Sequence, residues 1–460
     1  MICHLALILC LLNCKKFTNV HYLSGPIDAQ FKTDAAAKRM VTGIYALMNL
    51  NGDFENGGLA FYPGLSADEL NLFTSNKVKG ELENNNILKT NQVIYRMWAS
   101  CFKTLIQINT CIEGLSDNNS ISPAVRNQLL GEAKLCRAFE YFYLVNLWGD
   151  VPILTSSDWK INQSLPRASE NQVYKLIIED LKDASSLMMA DYASSEKSRP
   201  NKFAALALLA RVYLYQRDWV NAENTANLVI NAEKYTLLSD LNCVFLKNSS
   251  EAIWQIEPDA GYGATYEGRI FNGINATEFG EPDYYILSES FLNGFEQGDA
   301  RKVHWLRSFI LDGKIYGTPN KYKDAGYIGN TNIKEYLTVL RLAEQYLIRA
   351  EARANNDKIE SAISDLNVIR RRAGSADGLN VMLPLSNSLN KEECLLAVEK
   401  ERRVELFCEW GHRWLDLKRT GRSNAVIGTL KPLWKSSAQL FPIPYQEILL
   451  NPRLGQNPGY

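Results

Sequence analysis

The chain has 460 residues, room for about three average domains or one large helical one. Its 50 Lys and Arg are offset by 51 Asp and Glu, so no excess of positive charge draws it onto a phosphate backbone, and nucleic-acid binding is disfavoured. Hydrophobic residues at 46% and charged residues at 22% exclude a largely disordered or collagen-like chain.

At the amino terminus, Leu5 to Leu12 is an apolar run too short for a spanning helix of about 20 residues, but it fits the core of a secretory signal. It ends in Leu11-Leu12-Asn13-Cys14 and turns polar at Lys15-Lys16, resembling a bacterial lipoprotein signal in which Cys14 becomes the lipidated first residue. His4 stands where Lys or Arg is expected and Asn13 where a small residue is usual. The alternative is an apolar N-terminal element of the fold. Cys101 and Cys111 share an apparent helix and lie roughly 15 Å apart on it, beyond disulfide reach. The same holds for Cys394 and Cys408, so buried free thiols are expected. With no C-x-x-C, and only His21, His304 and His412 after the signal, a zinc site is not expected.

Apolar spacing of three and four predicts helices at Ala35 to Leu50, Gln92 to Leu115, Ser122 to Leu147, Asn171 to Met189 and Lys391 to Lys418. Between Lys202 and Tyr235, residues Leu209, Ala210, Tyr213, Trp219, Ala222 and Ala226 fall at the offsets of a helix-turn-helix unit of about 34 residues resembling a tetratricopeptide repeat. Ala210 and Ala222 let two helices approach, and Tyr213 and Trp219 fill the space beside them. A weaker copy spans about 340–374, where Leu347, Ala350 and Ala354 precede an Asn355-Asn356-Asp357 turn, followed by Ala362, Leu366 and Ile369. The fold class is mainly α, a helical-repeat scaffold with an insertion between the two copies.

That insertion, about 254–330, loses the helical period and gathers 11 of the 28 glycines with 14 aromatics. A long loop-rich segment inside a compact domain is usually functional unless disordered, and this aromatic content argues against disorder. Asn51 to Asn76, with Phe54, Phe61, Tyr62 and Phe73, is a second candidate loop.

No G-x-S-x-G elbow, H-E-x-x-H helix, phosphate loop or complete dinucleotide fingerprint occurs. Paired carboxylates for glycoside hydrolysis leave no sequence signature, and Asp283, Glu289 and Glu296 are available, but loop carboxylates are more often solvated or hydrogen-bonded. Asp53-Phe54-Glu55 fails the spacing of a calcium loop. The strongest local signal is Glu399 to Phe407 continuing through Glu409 and Gly411 to Arg419. There Val404, Leu406, Phe407 and Trp410 are expected to face a core, and Glu405, Glu409 and Arg413 to form a four-residue ladder. His412 reads as a structural histidine.

The run from Glu401-Arg402-Arg403 to Arg419-Thr420-Gly421 resembles the hallmark of the SusD/RagB family of outer-membrane nutrient-binding lipoproteins. Other stretches agree: Trp98, Phe102, Ile106 and Asn109; Glu132 to Phe139 leading to Leu147-Trp148-Gly149-Asp150-Val151-Pro152; Arg199-Pro200-Asn201-Lys202; Tyr346 to Ala352; and Phe441-Pro442-Ile443-Pro444 to Gln456-Asn457-Pro458-Gly459-Tyr460. The resemblance runs from about Cys14 to the last residue. It implies a signal at 1–14 and one SusD-like domain over 15–460. It also implies a lipid-anchored protein on the exterior of a Bacteroidota-type outer membrane, which captures a glycan or related nutrient and passes it to a SusC-like TonB-dependent transporter without cleaving it. The charged motifs would then be scaffold. Lys15-Lys16 departs from the acidic residues usual after the lipidated Cys of a surface-exported protein.

A pyranose offers apolar C–H faces that stack on aromatic rings and hydroxyls that need directed partners, so a sugar site needs an aromatic platform with a polar rim. Tyr262, Tyr266, Tyr284, Tyr285 and Tyr316 from the insertion, with Asp68, Phe73 and Asn76 from the earlier loop, are the expected ligand-binding residues, while Trp254, Phe271, Phe291 and Trp305 are expected to hold the loops down. No cofactor is expected, and calcium, found in some relatives, is not readable from these residues. Two other functions compete: a helical-repeat scaffold that binds proteins inside the cell, and a secreted glycoside hydrolase on a helical frame.

Overall fold

The computed structural model describes residues 27–49, 53–258, 261, 263–272, 285–327, 329–374 and 381–460. In chain order the first elements are α1 (Ile27–Gln30), α2 (Asp34–Met48), α3 (Gly58–Ser66), β1 (Leu70–Leu72), α4 (Lys77–Glu83), α5 (Gln92–Leu115), α6 (Pro123–Trp148), α7 (Trp159–Asn162) and α8 (Glu170–Leu187). The first helical hairpin follows, α9 (Lys202–Tyr215) and α10 (Trp219–Ile230). The middle of the chain forms β2 (Ala252–Ile256), α11 (Tyr266–Asn272), β3 (Tyr285–Leu287), α12 (Glu289–Leu292), α13 (Arg301–His304), β4 (Leu306–Leu311), β5 (Lys314–Pro319) and β6 (Leu337–Arg341). A second hairpin, α14 (Leu342–Asn355) and α15 (Ile359–Ala373), leads to α16 (Lys391–Glu405), α17 (His412–Arg419), α18 (Ser423–Leu430) and α19 (Tyr445–Leu450).

The long helices start where side chains cap them. Asn91 Oδ1 accepts from the backbone N–H of Val93 at 2.9 Å and of Ile94 at 3.2 Å, opening α5. Pro123 opens α6, and Gly149, at φ +74°, ends it. Across α5, α6 and α8, Arg137 donates to both oxygens of Asp180 at 2.7 and 2.8 Å and to Asn109 at 3.2 Å, so each buried polar group has a partner.

The two hairpins lie where the repeat spacing places them. Ala210 and Ala222 are fully buried, allowing α9 and α10 to pack closely. α10 also packs on α14, which joins the hairpins. Arg211 in α9 holds Glu344 in α14 through two bonds, 2.6 and 2.7 Å, both side chains buried. Inside the second hairpin Arg349 pairs with Asp365 at 2.7 Å.

Among the described residues three antiparallel two-stranded sheets form: β1–β3 and β2–β6 tie the middle segment to this frame, and the β4–β5 hairpin lies within it. Trp254, Phe291 and Trp305 are fully buried and Phe271 nearly so, as expected of residues that hold the loops down. The cysteines among the described residues are unpaired, all buried except the partly exposed Cys243.

Two expectations are corrected. Half of the described part of the loop expected at Asn51 to Asn76 is α3 and β1, and every residue of α3 is buried. Its density of Phe, Tyr and Leu reports core packing. The single helix expected over Lys391 to Lys418 is broken between Glu405 and His412, where Cys408, Trp410 and Gly411 take φ of +51°, +50° and +68°. Glu405, Glu409 and Arg413 therefore form no ladder. Glu405 accepts from Arg301 at 2.7 Å, from Arg341 at 2.6 Å and from Arg372. Glu409 accepts from Arg341 at 2.8 Å and Lys321 at 2.5 Å, and Arg413 meets Asp68. Val404, Leu406, Phe407 and Trp410 are buried as expected.

Candidate functional site

The β4–β5 hairpin turns at Asp312-Gly313, whose φ values of +50° and +75° are those of a tight two-residue turn matched to strand twist. Its register sets Phe309 opposite Tyr316 on one face and Ile310 opposite Ile315 on the other. Phe309 and Tyr316 stack with centroids 5.4 Å apart, an aromatic cross-strand pair. Phe73, just past β1, packs its ring at right angles to both, 5.7 Å from Phe309 and 5.0 Å from Tyr316. These three half-buried rings join the earlier segment to the insertion in one aromatic patch. The Lys314 ammonium lies 5.2 Å from the Tyr316 ring centroid, over the edge of that patch.

Alongside, a groove of about 540 Å³ is bounded by Leu72, Thr74, Asn76, Lys77, Glu83 and Leu433. Its shape is fixed from beneath. Asn76 Oδ1 accepts from the N–H of Val78 and of Lys79, both at 3.0 Å, capping α4, and Glu83 accepts from the Leu72 N–H at 2.9 Å. Aromatic rings beside a polar groove supply the two surfaces a sugar requires: apolar faces for C–H groups, and amide, hydroxyl and charged groups for hydroxyls.

Of the expected ligand residues, Phe73 and Tyr316 come together in the patch, and Asn76 lines the groove as a helix cap. Tyr266 begins α11, half-buried, its ring 5.8 Å from that of Phe61 and 5.6 Å from the Arg269 guanidinium. Tyr285 lies under the surface: it is 3% exposed, stacked on Phe61 with centroids 4.9 Å apart, because its place opposite Leu72 in the β1–β3 ladder turns it inward. Asp68 is also buried, with one oxygen held by Arg413 at 2.7 Å and the other by Arg403 at 2.6 Å, and these guanidiniums keep its carboxyl below the usual range despite burial. Tyr262, Tyr284 and Cys14 lie outside the described residues. Phe309 was not among the expected residues. The signal that reveals it is Asp-Gly between two six-residue runs, a hairpin pattern that sets Phe309 opposite Tyr316.

Of the carboxylates named for a hydrolase, Glu289 and Glu296 are among the described residues. Glu296 is held at about 2 by its bond to Arg370, assisted by Lys400, so it carries no proton to donate at neutral pH. Glu289 sits in the first turn of α12, and Asp283 is outside the described residues. Glu55 and Glu140 share a hydrogen bond, and burial lifts Glu55 to about 7 and raises Glu140 further; both are sealed in the core, beyond reach of a substrate. His412 is buried, which pushes its imidazole well below its ordinary value and leaves it neutral. Among the described residues no cluster of three His, Cys, Asp or Glu side chains is placed to hold a metal, and no helix is long and apolar enough to cross a membrane.

Two family models match the chain. One, described as "Starch-binding associating with outer membrane", covers residues 22–214, and the other, described as "SusD family", covers residues 313–460. A SusD-like protein of Formosa agariphila is 29% identical, with 94% of each chain covered. Among solved structures, a SusD superfamily protein of Bacteroides vulgatus superposes with TM-score 0.77 at 24% identity, covering 94% of this chain and all of its own. The surface glycan-binding protein A of Bacteroides fluxus gives TM-score 0.75 at 21% identity, covering 93% and 99%.

Proposed function

The chain belongs to the SusD/RagB family, and from that premise we propose that it captures a glycan on the patch of Phe73, Phe309 and Tyr316 and in the groove beside it. The observation that carries this reading is the meeting of three half-buried rings with a polar groove of about 540 Å³ on a scaffold shared with a surface glycan-binding protein. The ligand is held and handed to a partner TonB-dependent transporter, and it is not cleaved. Cys14 carries the lipid that keeps the protein at the outer membrane, facing the exterior. Exposed apolar side chains on short helices, Trp159 and Ile161 in α7 and Leu449 and Leu450 in α19, are the kind of surface a transporter would cover.

The test is affinity electrophoresis and calorimetry against plant, host and microbial glycans, with reducing ends assayed in the same samples. Binding without sugar release is expected. Replacing Phe73, Phe309 or Tyr316 by Ala is expected to weaken binding by about tenfold or more, the loss of roughly one stacked ring, with the thermal midpoint recorded to separate binding from folding. Release of reducing ends, or ligand affinity indifferent to all three rings, overturns the reading.

A further inference from the structure

The segment that carries Phe73 borders two pockets. Leu72 lines the groove already described, and Asp68 lines a second pocket of about 420 Å³ between α16 and α18. Four residues of extended chain reach at most about 14 Å, so the two pockets are neighbours. Leu433 on the first and Leu430 on the second repeat the relation, three residues or at most about 11 Å apart.

The second pocket holds more positive than negative charge. Lys400, Arg403, Arg413 and Arg422 line it against only Asp68 and Glu399. Asp68 is divided between two guanidiniums, Arg413 at 2.7 Å and Arg403 at 2.6 Å. Glu399 accepts from Arg413 at 3.2 Å and lies 3.5 Å from Arg422 Nε. Lys400 leans out to Glu296 at 2.7 Å, a carboxylate that Arg370 also holds. Among the described residues Arg403 Nε is buried with no hydrogen-bond acceptor, while Arg422, its side chain part exposed at the rim, has only the long Glu399 contact. Burial, reinforced by neighbouring Arg413 against the pull of Asp68, lowers the Arg403 guanidinium from its ordinary value. A buried donor without an acceptor costs about 1–3 kcal/mol, and an anionic oxygen is the partner that relieves it best.

We infer that this arginine pocket is an anion subsite continuing the glycan groove, and that the captured ligand is an acidic glycan carrying sulfate or uronate groups. The inference rests on the glycan-capture reading. An oxyanion in the pocket would accept from Arg403 and Arg422 while the neighbouring sugars reach the aromatic patch. The structural pairing of Arg413 and Asp68 stays intact beneath it.

The experiment is native electrophoresis of the purified protein at fixed ionic strength in gels containing carrageenan (sulfated), polygalacturonate (uronate), dextran (neutral) or polyglutamate (an acidic peptide). It is repeated with the Lys400→Gln/Arg422→Gln double variant at the exposed rim and with Phe73→Ala. Retention by carrageenan, polygalacturonate or both is expected, falling about tenfold in the double variant at an unchanged thermal midpoint, the loss of a charge-assisted contact. Whichever of the two gels responds identifies the group. Retention by dextran that equals that of the acidic polymers, untouched by the double variant but lost in Phe73→Ala, overturns the subsite and leaves glycan capture standing. Retention by polyglutamate matching the acidic glycans and lost in the double variant assigns the pocket to an acidic protein segment, which overturns the glycan assignment. No retention in the carrageenan and polygalacturonate gels overturns the acidic-glycan subsite, while glycan capture itself is decided by the wider glycan panel.

Discussion

Glu405 accepts from three guanidiniums at once, those of Arg301, Arg341 and Arg372, and all four side chains are buried. Those arginines pull its carboxyl well below the ordinary value, overcoming burial that alone would raise it. Removing one partner of a buried ion pair leaves the others uncompensated, so Glu405→Gln is expected to destabilise by about 3–5 kcal/mol, read from the urea midpoint. The same pairings set the acid limit. A carboxylate whose folded value is depressed contributes stability above its unfolded value and loses it as pH falls through the folded one. For Glu296 that window runs from its ordinary 4.5 down to about 2. Glu55 behaves in the opposite sense. Burial lifts it from 4.5 to about 7, so its contribution is full below 4.5 and is lost as pH rises through about 7. Glu140 shares this site and burial raises it too, so the Glu55→Gln/Glu140→Gln double variant removes the loss, and its stability measured from pH 4 to 8 is expected to fall less steeply on the alkaline side than that of the wild type.

The turn between α16 and α17 is where helix periodicity and the packed structure part. Gly411 sits there at φ +68°, and a Cβ on it would lie 3.0 Å from both the Leu59 carbonyl and Pro63 of the buried α3. Gly421 has a similar φ, +73°, but open space around it. Both substitutions to Ala incur the left-handed cost of about 1–2 kcal/mol, and only Gly411→Ala adds the collision. Unfolding midpoints are expected to rank wild type, then Gly421→Ala, then Gly411→Ala, and equal midpoints for the two variants would remove the argument from packing. α5 runs over the residues its apolar spacing predicts, Gln92 to Leu115, because a long helix with one buried stripe repeats its own signal. The break after Glu405 has Gly411 as its one sequence mark. Its turn residues Cys408 and Trp410 are not the Gly or Asn that mark left-handed positions; tertiary contacts hold them there, including the bond from Trp410 Nε1 to the Thr338 carbonyl at 2.7 Å.

Across the whole molecule, the helical repeats, the family resemblance and the structural role of the Arg-rich run are legible in the sequence because each rests on residues close together in the chain. The candidate surface is only half legible. Phe73 and Tyr316 stand out as aromatics among Gly and polar residues, but their meeting with each other and with Phe309 depends on packing between segments distant in the chain. Tyr285 looks the same in sequence, and ladder register alone turns it inward. The charge cluster carries a consequence for the time course of folding. Arg301, Lys321, Arg341 and Arg372 pair with Glu401, Glu405 and Glu409 of the segment from α16 onward, and among the described residues outside that segment the carboxylates paired with them are Glu251 and Asp299. Until α16 arrives the surplus cations stay hydrated, since drying them without a counter-charge costs several kcal/mol each. Pulse-labelled hydrogen exchange during refolding is therefore expected to protect the amides of β6 together with those of α16, later than those of α5 and α6. Docking of α16, which brings Glu401 and Glu405 onto these cations, thus acts as the latch that dries and closes the charged core.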